Sequence, residues 1–189
     1  IIVERGASLY IDGAYLTSHG TTYWEGIKVL GNYYLDQVPQ SNQGFLKVYN
    51  NSTIANANIG IKVGDVNEIG SSLSYGGGII LLENSTLINN KKAVVFTPYH
   101  RPGGLQVADK NLSYIRNIDF TWDKPQIPNM VFLSLYNVNI DDISGNRFSN
   151  KMGNNALVSE NNGIGILSNS ASFTVKSLNG SSGNINTQF

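Results

Sequence analysis

Apolar positions along the chain fall into short runs of three to six residues separated by Asn, Gly and Ser. Residues 51–63 read NSTIANANIGIKV and residues 84–96 read NSTLINNKKAVVF. The Asn-Ser-Thr opening recurs 33 positions on, each time followed by an aliphatic residue, an Asn two places later and an apolar run. Runs of this length, rich in β-branched and aromatic residues and bounded by turn-formers, predict strands. No 11-residue window carries a capped helical period.

The aliphatic residue after Asn-Ser-Thr anchors a repeat. Equivalent positions are Leu16, Ile54, Leu87, Phe120, Phe148 and, more weakly, Phe173, spaced by 38, 33, 33, 28 and 25 residues. Three places before the anchor stand Gly13, Asn51, Asn84, Asn117, Gly145 and Ser170, all residues that suit tight turns. Two places after it stand Ser18, Asn56, Asn89, Trp122 and Asn150, with Trp122 breaking the column. A second apolar segment follows each anchor: GIKV at 26–29 and again at 60–63, AVVF at 93–96, MVFLSL at 130–135 and ALV at 156–158.

Each unit therefore predicts strand, Asn/Gly turn, short strand, Asn turn, strand and variable loop. Ankyrin and tetratricopeptide units of similar length need two helices, and the leucine-rich frame L-x-x-L-x-L is missing. The physical solution is a parallel β-solenoid, in which equivalent strands of successive coils stack and inward residues fill one continuous core. A β-sandwich is the competing architecture, but it leaves the repeated NST and GIKV unexplained. Asn56 and Asn89, with Asn150 further along, suit a ladder in which each amide bonds to the next; solvent-facing turns are the alternative for the same residues. Length varies mainly after the second apolar strand, in insertions at roughly 30–44, 64–78, 97–112 and 122–129. Insertions at one point of each unit project from one side, which makes that side the first place to look for function.

Composition narrows the classes. The chain has 189 residues, no net charge and only 14% charged residues, against about 25% in ordinary domains. No basic run exceeds Lys91-Lys92, which argues against a nucleic-acid face. The 25 Asn and 20 Gly imply a chain that turns often. There is no Cys, hence no disulfide, thiolate zinc site or thiol catalysis. No apolar stretch reaches the roughly 18 residues of a membrane span. The chain opens without Met or signal peptide on the strand-like IIVERGASLYIDGA and is expected to be a single domain, 1–189, cut from a longer protein.

The stretch GASLYIDGAYLTSHGTTYWEGIKVLGN resembles a segment, G-x-L-x-I-x-G-x-x-L-T-S…W-x-G-I-x-V-x-G-N, that recurs in large secreted β-helix proteins of Bacteroidetes. Trp24-Glu25-Gly26-Ile27, NNSTI…GIKV and NNKKAVVF carry most of the likeness. The resemblance implies a right-handed parallel β-helix of the pectate-lyase-like superfamily; with the anchor spacing, the expectation is an all-β solenoid of about five to six coils with loop insertions on one side. It also implies secretion or attachment to the cell surface.

Such folds host polysaccharide lyases and glycosidases, but fold alone does not give activity. A lyase needs a cation, usually calcium, and a Lys or Arg base; the acidic residues here are scattered along the sequence, Asp109 and Asp119 among them. A hydrolase needs neighbouring carboxylates. Asp141-Asp142 is the adjacent pair, and alternation along a strand would send the two to opposite faces unless they sit at a turn. His100-Arg101 in TPYHRPGG combines a potential acid–base with a carboxylate-binding group. GGG at 76–78 is not a phosphate loop, since no Lys-Ser/Thr follows. Tyr33, Tyr34, Tyr75 and Tyr99 fall in or beside the insertions and, with Arg101, are the candidate carbohydrate contacts; aromatic anchoring of their own loops is the plainer reading. Trp24 is expected in the core or as a lid, and Lys91 and Lys92 on opposite faces.

The sequence thus favours a non-catalytic β-helix module for adhesion or glycan contact, with no cofactor, no resident metal and no membrane span. The alternative is a lyase or glycoside hydrolase on an acidic polysaccharide, the one case that would call for calcium. Partners would be polysaccharide or cell-surface glycan, or further copies stacked on exposed end coils.

Overall fold

The computed structural model describes residues 1–65, 75–99, 110–125, 129–151, 163–180 and 183–189. In chain order the first half contains β1 (Ile2–Val3), β2 (Ser8–Asp12), β3 (Tyr15–Leu16), β4 (Ile27–Val29), β5 (Phe45–Tyr49), β6 (Thr53–Ala55), β7 (Ile59–Val63), β8 (Ile79–Ile88) and β9 (Lys92–Phe96). The second half contains β10 (Lys110–Asn111), β11 (Tyr114–Trp122), β12 (Val131–Tyr136), β13 (Asn139–Ser144), β14 (Arg147–Asn150), β15 (Ile164–Asn169) and β16 (Ser172–Lys176). A small antiparallel pair, β17 (Leu178–Gly180) and β18 (Gly183–Ile185), follows. No helix among the described residues is long and apolar enough to cross a membrane.

The strands stack in parallel into a β-solenoid of about four turns, fewer than the five to six that the anchor spacing predicts. One sheet runs β1-β4-β7-β9-β12-β15. The other runs β2-β5-β8-β11-β13, with β3, β6 and β14 forming its second facet. The two facets meet at a bend, and the predicted turn column makes that bend: Gly13, Asn51, Asn84, Asn117 and Gly145 all have φ between 47° and 62°. Left-handed backbone is costly for most side chains and tolerated by Gly and Asn, which explains the column. Coil two carries one extra residue here, and both Asn50 and Asn51 are left-handed.

The anchor row is a row of the core. Leu16 pairs with Ile54, Ile54 with Leu87, Leu87 with Phe120 and Phe120 with Phe148. The rings of Phe120 and Phe148 stack at 4.8 Å, and Phe148 stacks on Phe189 at 5.0 Å, the spacing of neighbouring strands. Phe189, not Phe173, continues the row; Phe173 pairs with Ile140 on the first facet. The sequence period misleads here because length is added between facets as well as between coils.

Side chains from one coil close the bends of the coil before it. Asn146 accepts from the Ile118 N–H at 2.8 Å and donates to the Ile115 carbonyl at 2.9 Å, spanning the Asn117 bend. Ser52 does the same across Gly13, donating to Ile11 and accepting from Ala14. Asn90 spans the Asn56 turn through the Ile54 carbonyl and the Ala57 N–H. The predicted ladder takes another form: Asn56 bonds Thr17 and Lys124, and Asn89 bonds Asp123. The direct amide–amide bond lies one column over, from Asn117 to Asn84 at 2.8 Å.

Three insertions enter at the corner between β4, β7 or β9 and the following strand of the other sheet, whereas 122–129 stands at the corner between β11 and β12. At the first corner the segment Gly76-Gly77-Gly78 is wedged between coils. A Cβ at Gly76 would collide with the Pro98 carbonyl, and one at Gly31 with the backbone of Gly76 and Gly78. Buried Gln37 and Gln43 supply the bonds that such a loop-filled corner requires: Gln37 donates to Gly77, and Gln43 donates to Leu35.

Candidate functional site

The outward positions of the first facet form two rows across the coils. One is Tyr10, Lys47, Leu81 and Tyr114, by strand register. The next pairs Asp12 with Tyr49 and aligns Glu83, Arg116, Ser144 and Lys176. Alternation along each strand puts these side chains on the outer face, Ser144 buried there beneath its neighbours, while Leu46, Val48, Ile80, Leu82 and Ile115 fill the core.

The rows are tied into one network. The Tyr49 hydroxyl donates to Asp12 at 3.0 Å, and the Lys47 ammonium lies 4.8 Å from the centre of the Tyr49 ring. Lys47 holds Glu83 at 2.8 Å, and the Tyr114 hydroxyl donates to Glu83 at 3.0 Å. The Arg116 guanidinium lies 4.0 Å from the centre of the Tyr114 ring and holds Asp142 at 2.6 Å. Ser144 donates to Asp142 at 2.7 Å, and Lys176 approaches it at 3.5 Å.

Partial burial pushes the Glu83 carboxyl up, but the bonds from Lys47 and Tyr114 outweigh it and hold Glu83 below its usual range. Asp142 is likewise pushed up by burial and brought down further by Ser144 and Arg116. Tyr114 moves the other way, raised by burial and by its bond to Glu83. Both carboxylates are therefore charged and fully occupied near neutral pH.

Asp141 and Asp142 lie on a strand, not in a turn. A register shift between Ile140 and Ile143 marks a bulge in β13, where the two aspartates stand opposite the single residue Thr174 of β16. The bulge turns both outward, Asp141 to Lys110 at 2.6 Å and Asp142 to Arg116.

The four predicted carbohydrate-contact tyrosines lie at the loop-bearing corner. Tyr33 and Tyr34 meet edge to face at 5.3 Å. Tyr34 is 62% exposed, whereas Tyr99 is 3% exposed, its ring against Gly77 and its hydroxyl donating to the Leu35 carbonyl at 2.9 Å. Tyr75 is half-buried, with the Arg5 guanidinium 5.4 Å from its ring centre. Arg101, with His100 and Asp109, lies outside the described residues.

No family model, curated protein or solved structure matches the chain.

The solenoid's first facet is what sequence reasoning missed. Its signal was present: the residue just before each bend is outward, and Asp12, Glu83 and Arg116 occupy that place. On the opposite sheet a smaller charged group repeats the pattern. Lys28 and Lys62, neighbours on β4 and β7, both hold Asp65, at 2.7 and 2.6 Å. They border a cleft of about 380 Å³ that also involves Ile2, Ile27 and Ile59. Burial raises the Asp65 carboxyl, and the two lysines bring it below its ordinary range.

Among the described residues no group of three or more His, Asp or Glu is placed to hold a metal ion.

Proposed function

We propose that this chain is a non-catalytic β-solenoid module of a secreted or cell-surface bacterial protein, related to the pectate-lyase-like β-helices, that makes contact with polysaccharide. One observation carries the reading: the outer face of the first facet presents Tyr10, Tyr49 and Tyr114 among Lys47, Glu83, Arg116 and Asp142 on successive coils. Coils repeat at about 4.8 Å, close to the advance of one sugar along an extended glycan. Aromatic faces accept sugar rings, and paired charges offer hydroxyl-binding atoms already held in place. The exposed Tyr34 and the half-buried Tyr33 and Tyr75 extend that contact to the loop-bearing corner, and Tyr99 serves by bracing the loops.

The catalytic alternative, a lyase or hydrolase on an acidic polysaccharide, draws on the nearness of Glu83, Arg116 and Asp142 across neighbouring coils. A general acid at neutral pH needs a raised carboxyl pKa, and both of these are lowered. The test is affinity electrophoresis through gels carrying neutral or acidic polysaccharides. Retardation by at least one glycan is expected, and Tyr49→Ala with Tyr114→Ala should weaken it about tenfold, the loss of two stacking contacts. Migration of the parent unchanged by every glycan tested overturns the reading, and release of reducing or unsaturated sugar ends replaces it with the catalytic one.

A further inference from the structure

The corner opposite the main insertions holds a group of basic residues that the first facet does not use. The Lys91 ammonium lies 4.6 Å from the centre of the Tyr23 ring, and the Lys124 ammonium lies 5.2 Å from the same centre. Three separate coils supply these residues, and a fourth supplies the support. Asn56 accepts from Lys124 at 2.6 Å and is itself fixed by donating to Thr17 at 2.8 Å. Tyr23 is set by its neighbour Trp24, whose indole N–H donates to Ala55 at 2.7 Å and whose backbone bonds Asn56 and Asn58.

These two lysines share one ring and, unlike most of the described basic residues, hold no carboxylate. Lys28, Lys47, Lys62, Lys110, Arg116, Arg147 and Lys176 each hold a carboxylate. Lys91 and Lys124 hold none among the described residues. The acidic residues nearest in sequence bond amides instead: Asp123 accepts from Asn89, and Glu25 accepts from Asn58. Two like charges gathered on one ring repel each other, and neither is fully solvated, since both side chains are half-buried. The ring quadrupole offsets part of this repulsion. A bound anion would offset the rest.

We propose that Tyr23, Lys91 and Lys124 form an oxyanion-binding site that takes the sulfate ester or carboxylate of an acidic glycan. The site is separate from the first facet, so it stands or falls independently of the contact proposed there. Lys91 and Lys92 are thereby divided: Lys91 turns to the corner, and Lys92 opens β9 as an exposed residue.

The experiment uses the whole chain in low-salt buffer, with inorganic sulfate followed by calorimetry and with dextran sulfate, polygalacturonate and neutral dextran in affinity gels. One sulfate per chain is expected, together with retardation by dextran sulfate or polygalacturonate and none by dextran. The two acidic polymers separate a sulfate-ester preference from a carboxylate one. Lys91→Gln with Lys124→Gln should weaken sulfate binding about tenfold or more. Lys92→Gln, which removes the same charge next door, should leave it within about twofold, and Lys91→Arg with Lys124→Arg should retain it. Thermal unfolding checks that each variant is folded, and if the Gln pair fails to fold, Tyr23→Leu with the Lys92→Gln control replaces it. Absence of sulfate binding by the parent, or equal loss in Lys92→Gln and the Gln pair, overturns the proposal.

Discussion

Asn146→Ala probes how one coil holds the next. The Asn146 side chain is fully buried, accepting from Ile118 and donating to Ile115 on either side of the Asn117 bend. Alanine removes both bonds and leaves a buried N–H and a buried carbonyl with no partner, each costing about 1–3 kcal/mol. The expected loss is about 2–4 kcal/mol once partial relaxation is allowed. With a urea dependence of about 2 kcal/mol/M for a chain of this size, the unfolding midpoint should fall by about 1–2 M. Solenoid stability is carried by contacts between neighbouring coils, so hydrogen exchange at the Ile118 amide reads the site directly. Its protection should fall about 30-fold or more, the same energy expressed as a ratio. Asn146→Ser should recover part of the loss, because Ser52 closes the Gly13 bend with one hydroxyl. An Asn146→Ala protein that unfolds within about 0.5 kcal/mol of the parent, with Ile118 still protected, would refute the stitching role.

Two further outcomes follow from the core and the charged face. Phe120→Ala should cost about 3–5 kcal/mol, since its ring is fully buried and packs on both Phe132 and Phe148; Phe173→Ala, at a partly exposed position, should cost clearly less, and equal losses by urea titration would contradict the row assignment. Glu83, Asp142 and Asp65 have carboxyls lowered on folding, so their stabilisation is whole above the ordinary carboxylate range of about 4 and is lost as pH falls through the lower folded values. Melting followed from pH 7 down to 2 should therefore show a steep acid-side loss that Glu83→Gln makes shallower; an unchanged slope would show that Glu83 is not coupled to folding.

The parallel solenoid was legible because two independent columns agree. The anchors Leu16, Ile54, Leu87, Phe120 and Phe148 need burial, and the positions three before them need left-handed backbone. Steric cost restricts that conformation to Gly and Asn so strongly that the bend is written into the residue types. The row failed at Phe173 because the spacing between Phe148 and its true successor, Phe189, includes the whole β15–β16 passage. Spacing reports chain length, and chain length says nothing of which facet absorbs it. The turn count suffered from the same cause.

The charged face was hidden for a different reason. Asp12, Glu83, Arg116 and Asp142 lie far apart along the sequence, and that spacing hides their convergence. In a solenoid the sequence distance between neighbours is one coil, so residues about 30 apart are in contact while adjacent residues on a strand face opposite ways. Lys47 and Glu83 meet at 2.8 Å from 36 positions apart. Arg116 and Asp142 meet at 2.6 Å from 26 apart, and the β13 bulge corrects the phase. Strand alternation would part Asp141 from Asp142 anywhere but at a turn, and a bulge suspends that alternation. The same geometry separates Lys91 from Lys92 and brings Lys91 and Lys124 to one ring. For this fold, clusters must be sought one coil apart, among outward positions flanking the bends, and only then among loop residues.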